Sequence, residues 1–171
     1  HFFLPSEKID EATQRDGLPY RIYMQQGFLS ESGDNFVDYH DCYKWFTDLV
    51  EQYQIYPLQI GFDRWSAQSL VQDMKNYGFH MDDVYQGENL TPVIQEFEGT
   101  LKDGNVRIGT NNLLKAHLLD SAVKLNAETN RRKLIKLSPH AHIDGTACLL
   151  DAFCVAQKWH SEIGEQLKNE D

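Results

Sequence analysis

Between Asp38 and Gly78 the apolar residues change period twice, and this change limits the fold more than any other feature of the sequence. Tyr39, Cys42, Tyr43, Phe46, Leu49, Val50 and Tyr53 recur every three or four residues, the spacing of one face of a helix. Asp38 is placed to cap that helix and Pro57 to end it. Leu58, Ile60 and Phe62 then alternate as in a strand, which closes on Asp63. Helical spacing returns at Ala67, Leu70, Val71, Met74 and Tyr77. Ser66 is the expected cap of this second helix, and Gly78 its left-handed terminus. A second strand candidate, "FHMDDVY", follows. Strands alternating with helices predict an α/β sandwich with at least some parallel pairing.

The flanks are less regular. "SEKIDEATQRD" reads as a polar helix with Ser6 as cap, and the aromatic segment up to Leu29 as irregular. Thr91 and Pro92 open a third helix with Val93, Ile94, Phe97 and Leu101 on its apolar face, stopped by Gly104. "NVRIG" is a candidate short strand and "NNLLKAHLL" a short helix. "SAVKLNAETNRRKLIKL" has the form of a β-hairpin, and a last helix is expected from Asp144 to about Glu165.

Bulk properties narrow the class. A chain of 171 residues, 41% hydrophobic and 12% aromatic, can bury one full core and is read as a single domain over 1–171. No apolar run approaches the roughly 20 residues of a membrane span. "HFFLP" lacks the basic leader of a signal peptide. Because the chain opens on His1 inside an apolar stretch, it is expected to be a fragment of something longer. Cys42, Cys148 and Cys154 form no CxxC and are read as buried, reduced thiols. The net charge of −10 argues against general affinity for nucleic acid. Lys115, Lys124, Arg131, Arg132, Lys133 and Lys136 nonetheless outweigh Asp120 and Glu128 locally. A solvated hairpin is the plain explanation of that cluster.

The chemistry concentrates on acids. Asp63 sits at a strand end, where ligands gather in open α/β sheets, although a turn or cap role explains it equally. Asp144, followed by Gly145, starts a long apolar helix and could simply cap it. Together, two hard carboxylates suit Mg²⁺ or Mn²⁺. Two aspartates are too few for two ions. Asp151, two helical turns beyond Asp144, is a possible contributor, with a buried structural role as its alternative. His140, His142 and Asp144 would share a face only on an extended strand, and Pro139 and Gly145 favour a loop entering a helix, which weakens a zinc reading. No phosphate-binding GxxxxGK[ST] loop and no GxSxG elbow is present.

"GLPYRIYMQQGFLSESGDNFVDYHDCYKWFTDLVEQYQIYPLQIGFDRWSAQSLVQDMKNYGF" and "KLIKLSPHAHIDGTACLLDAF" resemble the nuclease domain of tailed-bacteriophage terminase large subunits, with "FDRW" and "HIDG" as the most specific pieces. The resemblance implies an RNase H-like fold, a mixed central β-sheet flanked by helices. It also implies metal-dependent cleavage of concatemeric double-stranded DNA during packaging, in the cytoplasm of a bacterial host. Asp63 and Asp144 would be catalytic metal ligands for two Mg²⁺ or Mn²⁺ ions, with Arg64, Lys133 and Lys136 meeting DNA and Trp65 supporting the site. The family's first catalytic aspartate would lie upstream of "HFFLP", on a strand missing from this chain, as would an ATPase domain of the same polypeptide. Portal protein and the small terminase subunit are the implied partners, and no membrane is involved. A catalytically incomplete docking domain, or another RNase H-like nuclease, is the alternative.

Overall fold

Two parallel crossovers and one antiparallel hairpin build the molecule. In this computed structural model residues 1–65 and 68–168 are described. The first crossover joins β1 (Phe2–Leu4) to β2 (Leu29–Glu31) through α1 (Ile9–Asp16) and α2 (Tyr20–Gln25). The second joins β3 (Ile60–Asp63) to β4 (Met81–Val84) through α4 (Gln68–Tyr77). Between the two crossovers lies α3 (Tyr39–Tyr53). After α5 (Thr91–Lys102) and α6 (Asn112–Leu119), strands β5 (Ser121–Leu125) and β6 (Arg132–Lys136) pair antiparallel, and α7 (Asp144–Lys168) closes the chain.

Most elements form where their periodicity predicts. Asp38 accepts from the His40 N–H at 2.9 Å and caps α3, but the helix ends at Tyr53, with left-handed Gln54, before Pro57 can stop it. Gly78 closes α4 at φ 116°. The expected Ser66 cap falls on a residue outside the described set. Ser6 caps nothing: it begins a short 3-10 turn that follows Pro5. The aromatic segment read as irregular is α2 followed by β2. Residues 105–108 form no strand. The cysteines are free thiols, but none is fully buried as expected: Cys42 and Cys154 are half-buried and Cys148 is exposed.

The expected mixed α/β character is present, with both parallel and antiparallel pairs. Among the described residues, however, the strands hydrogen-bond as three separate two-stranded ladders, not as one central sheet.

What positions the site is the way α7 lies on β3. Leu150 and Val155 of α7 join Val84, Leu90, Val93, Ile94 and Phe97 in one buried cluster. Each such side chain contributes about 1.5–3 kcal/mol when fully buried. A Cβ on Gly61 would stand 2.7 Å from the Asp151 carbonyl oxygen and 2.8 Å from Val155 Cγ2. Glycine therefore lets helix backbone rest directly on strand backbone. A Cβ on Gly145 would meet the Phe2 ring at 2.8 Å and Leu114 Cδ1 at 3.0 Å, so the start of α7 is likewise seated against β1 and α6.

Candidate functional site

A cavity of about 600 Å³ runs along β3 and reaches Gln86 and Gly87 just after β4, and its wall includes Asp63, Asp144 and Asp151. Gly61 and Asp63, two residues apart, share one face of β3, and α7 covers that face. The reading that gave the core side to Leu58, Ile60 and Phe62 left Asp63 for the opposite face or the rim. That opposite face is the helix-covered one, and Leu58 is exposed.

Asp63 uses Oδ1 to accept the Trp65 backbone N–H at 3.2 Å, an Asx-type turn. The turn explanation is thus correct for one oxygen, and no hydrogen bond engages Oδ2 among the described residues. Asp144 has a side chain 78% exposed, with His142 Nδ1 4.0 Å from Oδ2. It is not spent on capping. The N–H of Gly145 donates to Nδ1 of His117 at 3.0 Å, so a ring from α6 serves this end of α7. His117, on α6, is buried and was not singled out in the sequence.

Asp151 is the third acid, 6% exposed. Burial pushes its carboxyl up to about 6, opposed by a hydrogen bond from Gln86 Nε2 and reinforced by the negative charge of Asp63. The rise is chiefly the cost of burying the charge, and the Asp63 carboxylate adds to it in the same direction. No lysine or arginine side chain contributes to the described wall of the cavity. Three acids without a basic counter-charge fit a divalent cation better than any neutral ligand. Among the described residues no three histidine, cysteine or acidic side chains gather tightly enough to hold an ion by themselves.

Residues 1–160 match the family described as terminase large subunit, endonuclease domain. The chain belongs to that family. It is 24% identical over 151 residues to "Terminase, large subunit" of Enterobacteria phage HK97, covering 86% of this chain and 29% of that protein. The crystal structure of the HK97 bacteriophage large terminase matches with a TM-score of 0.78 at 23% identity, over 88% of this chain and 32% of the other. That match carries the fold. The chain spans less than a third of the length of either relative.

In this terminase nuclease domain, the remaining sequence candidates are placed as follows. Residues 138–143 form bends, turns and unstructured chain, so His140 and His142 do not share a strand face with Asp144. Arg64 is occupied: its guanidinium donates twice to Asp83 Oδ2, from Nε at 2.7 Å and from Nη2, and lies over the Tyr85 ring at 5.4 Å. Trp65 is 79% exposed. Lys133 stands opposite Lys124 across the hairpin, and Lys136 opposite Ser121. Neither Lys133 nor Lys136 forms an ion pair among the described residues. Alternation along β6 puts Lys136 on the face of Leu134, which lines the cavity, and Lys133 on the other.

Proposed function

We propose that this domain cleaves the phosphodiester backbone of double-stranded DNA in the packaging of a phage genome, as a metal-dependent endonuclease with an RNase H-like fold. The observation that carries the reading is the cavity wall, to which Asp63, Asp144 and Asp151 all contribute and no basic side chain does among the described residues. Asp63 and Asp144 are the proposed ligands of Mg²⁺ or Mn²⁺, and Asp151 adds a carboxylate from the buried side. Ions held by these carboxylates would supply activation of water and charge stabilisation of the leaving oxygen. The protein's part is to hold its carboxylates. Asp63 is fixed by the turn to Trp65, Asp144 stands at the first turn of α7, and Gln86 anchors Asp151. Like charges directly opposite on a ladder are unfavourable without an anion between them, so Lys124 and Lys133 suit a DNA phosphate, with Lys136 nearer the acids. Arg64 is the weaker contact because Asp83 already neutralises it.

Concatemeric DNA is the proposed substrate, with the portal protein, the small terminase subunit and an ATPase domain of the same polypeptide as partners. Nicking of supercoiled plasmid in Mn²⁺ by the intact protein tests the activity, and Asp144→Asn should slow it at least ~100-fold. Equal nicking by the variant would refute the assignment. A docking domain that contacts the portal or motor without chemistry is the second reading. It is favoured by the spread of the acids, no three of which gather at one point among the described residues. Absence of Mn²⁺ binding at millimolar concentration, by calorimetry on the intact protein, would support it.

A further inference from the structure

Of the three tryptophans, two are occupied. Trp45 stacks on the His1 ring, centroids 5.5 Å apart, and meets Phe46 edge-on. Trp159 donates from Nε1 to Asp82 Oδ2 at 2.8 Å and lies beneath the Lys158 ammonium. Trp65 has no such neighbours. It is 79% exposed, and among the described residues no ring meets its indole and no acceptor its Nε1. Its backbone is nonetheless fixed, since its N–H donates to Asp63 Oδ1 at 3.2 Å. Two steps of chain put its Cα within about 7.6 Å of that of Asp63.

Flat groups gather around it. The Arg64 N–H donates to the Val84 carbonyl at 3.3 Å, which carries the β3–β4 pairing one residue further. The guanidinium, held by Asp83, lies over the Tyr85 ring at 5.4 Å, and that ring is half exposed. Indole, guanidinium and phenol thus emerge at one end of one ladder, next to an acid on the cavity wall. All three are surfaces on which a nucleobase stacks, and stacking tolerates any base because every base has a π-face. One base on one aromatic ring is worth roughly 5- to 150-fold in affinity. Within a closed duplex both faces of each base are already covered by its neighbours. An indole therefore finds a free face only where a base has left the stack, and a mispaired or frayed base leaves most cheaply.

We infer that Trp65 is a stacking platform for an unstacked base beside the cut, so that the domain engages a strand opened at that point in preference to a closed duplex. The inference rests on the reading of Asp63 and Asp144 as cation ligands, which brings the scissile phosphate to Asp63. Successive nucleotides of one strand advance about 3.4 Å along the axis, so the bases next to that phosphate pass within reach of the indole. The selectivity is for a state of the strand and not for a base sequence.

Two measurements on the intact protein test it. Oligothymidylate is titrated into the Asp144→Asn protein, in which cleavage is slow, and tryptophan emission is followed. Saturable quenching is expected, and adding Trp65→Phe should abolish it. By anisotropy of a labelled oligothymidylate, adding Trp65→Ala should weaken binding ~10-fold, whereas Trp65→Phe retains most of the affinity because a phenyl ring still stacks. Quenching that survives Trp65→Phe, or one affinity throughout, overturns the inference and leaves the ring to a protein contact. Cleavage of a matched duplex is then compared with that of the same duplex carrying one mismatch. Wild type should cut ~10-fold faster at the mismatch, and Trp65→Ala should erase that ratio, which a general loss of folded protein does not alter. A wild type without preference overturns the inference. If Asp144→Asn slows plasmid nicking while Trp65→Ala keeps the mismatch ratio, the platform fails and the cation site stands. If Asp144→Asn nicks as fast as wild type, both fall.

Discussion

The backbone N–H of Gly145 donates to Nδ1 of His117 over 3.0 Å, and this bond caps the first turn of α7. A helix begins with N–H groups that need acceptors, and an aspartate in its first turn is the ordinary supplier. Here a buried ring from α6 takes that duty, backed by Thr146 Oγ1 donating to the His117 carbonyl at 2.9 Å. The carboxylate is left outside the cap, on the cavity wall.

Only unprotonated Nδ1 can accept, so the bond is pH-sensitive. Burial pushes the His117 imidazole below its ordinary value, the neighbouring Asp144 charge opposing. A base whose folded pKa is depressed leaves stability complete above its unfolded pKa, about 6.5, and withdraws it as pH falls from there towards the folded value. Denaturant melts between pH 7.5 and 5 should show this loss. His117→Asn, which retains an acceptor, should flatten the pH dependence. His117→Ala should cost about 2 kcal/mol through the lost cap and the space left behind.

Asp151 titrates in the opposite sense. Its folded pKa, about 6, lies above the ordinary 3.8, so the native state binds the extra proton and loses stability as pH rises from about 4 through 6. Asp151→Asn should therefore stabilise the metal-free domain at pH 7.5 and do nothing near pH 3.5. The expected gain is on the order of 1–2 kcal/mol, below full linkage because the cavity admits water. Asp63→Asn keeps the acceptor for Trp65 and removes the neighbouring charge. Carboxyl carbon NMR should then find Asp151 titrating below 6, and an unmoved midpoint would show that the two acids do not share a field.

Gly61→Ala tests the seat of α7 on β3. The new methyl would sit 2.7 Å from the Asp151 carbonyl oxygen, against backbone that cannot yield as a side chain can. A destabilisation of roughly 1–3 kcal/mol is expected, read by thermal melts. Mn²⁺ affinity should fall with it, since the shift carries Asp151 away from Asp63.

For the hairpin lysines the readout is salt. If Lys133 and Lys136 meet phosphates, replacing either by alanine should weaken DNA binding across all sequences and lower the slope of log K against log [salt] by about 1. Arg64→Ala should change that slope less, because its charge is already matched by Asp83.

Local periodicity carries through to the architecture at particular places. The helical spacing from Tyr39 to Tyr53 and the alternation that ends on Asp63 became α3 and β3, because both depend on neighbours a few residues away. Asp38 and Gly78 act as terminators for the same reason. The basic hairpin could be read from its turn and flanking strands. By contrast, Asp151 read as a structural residue more readily than as a site residue, since nothing within seven positions hints at the charge of Asp63 or the amide of Gln86. A histidine on an apolar helix face, as in "NNLLKAHLL", gives no sign that it will cap another helix twenty-eight positions later.

The sequence alone therefore determined most of the elements from α3 onward and singled out Asp63 and Asp144 as candidates, because strand ends, helix starts and family-like segments are written in consecutive residues. Tertiary structure decided the rest: that β3 and α7 touch at Gly61, that Asp151 lines the same cavity as Asp63 and Asp144, and that His117 caps α7. The physical reason is the range of the forces. Propensity and capping act within a turn or two of chain, whereas burial and like-charge repulsion act between whatever the packed core brings within a few ångströms.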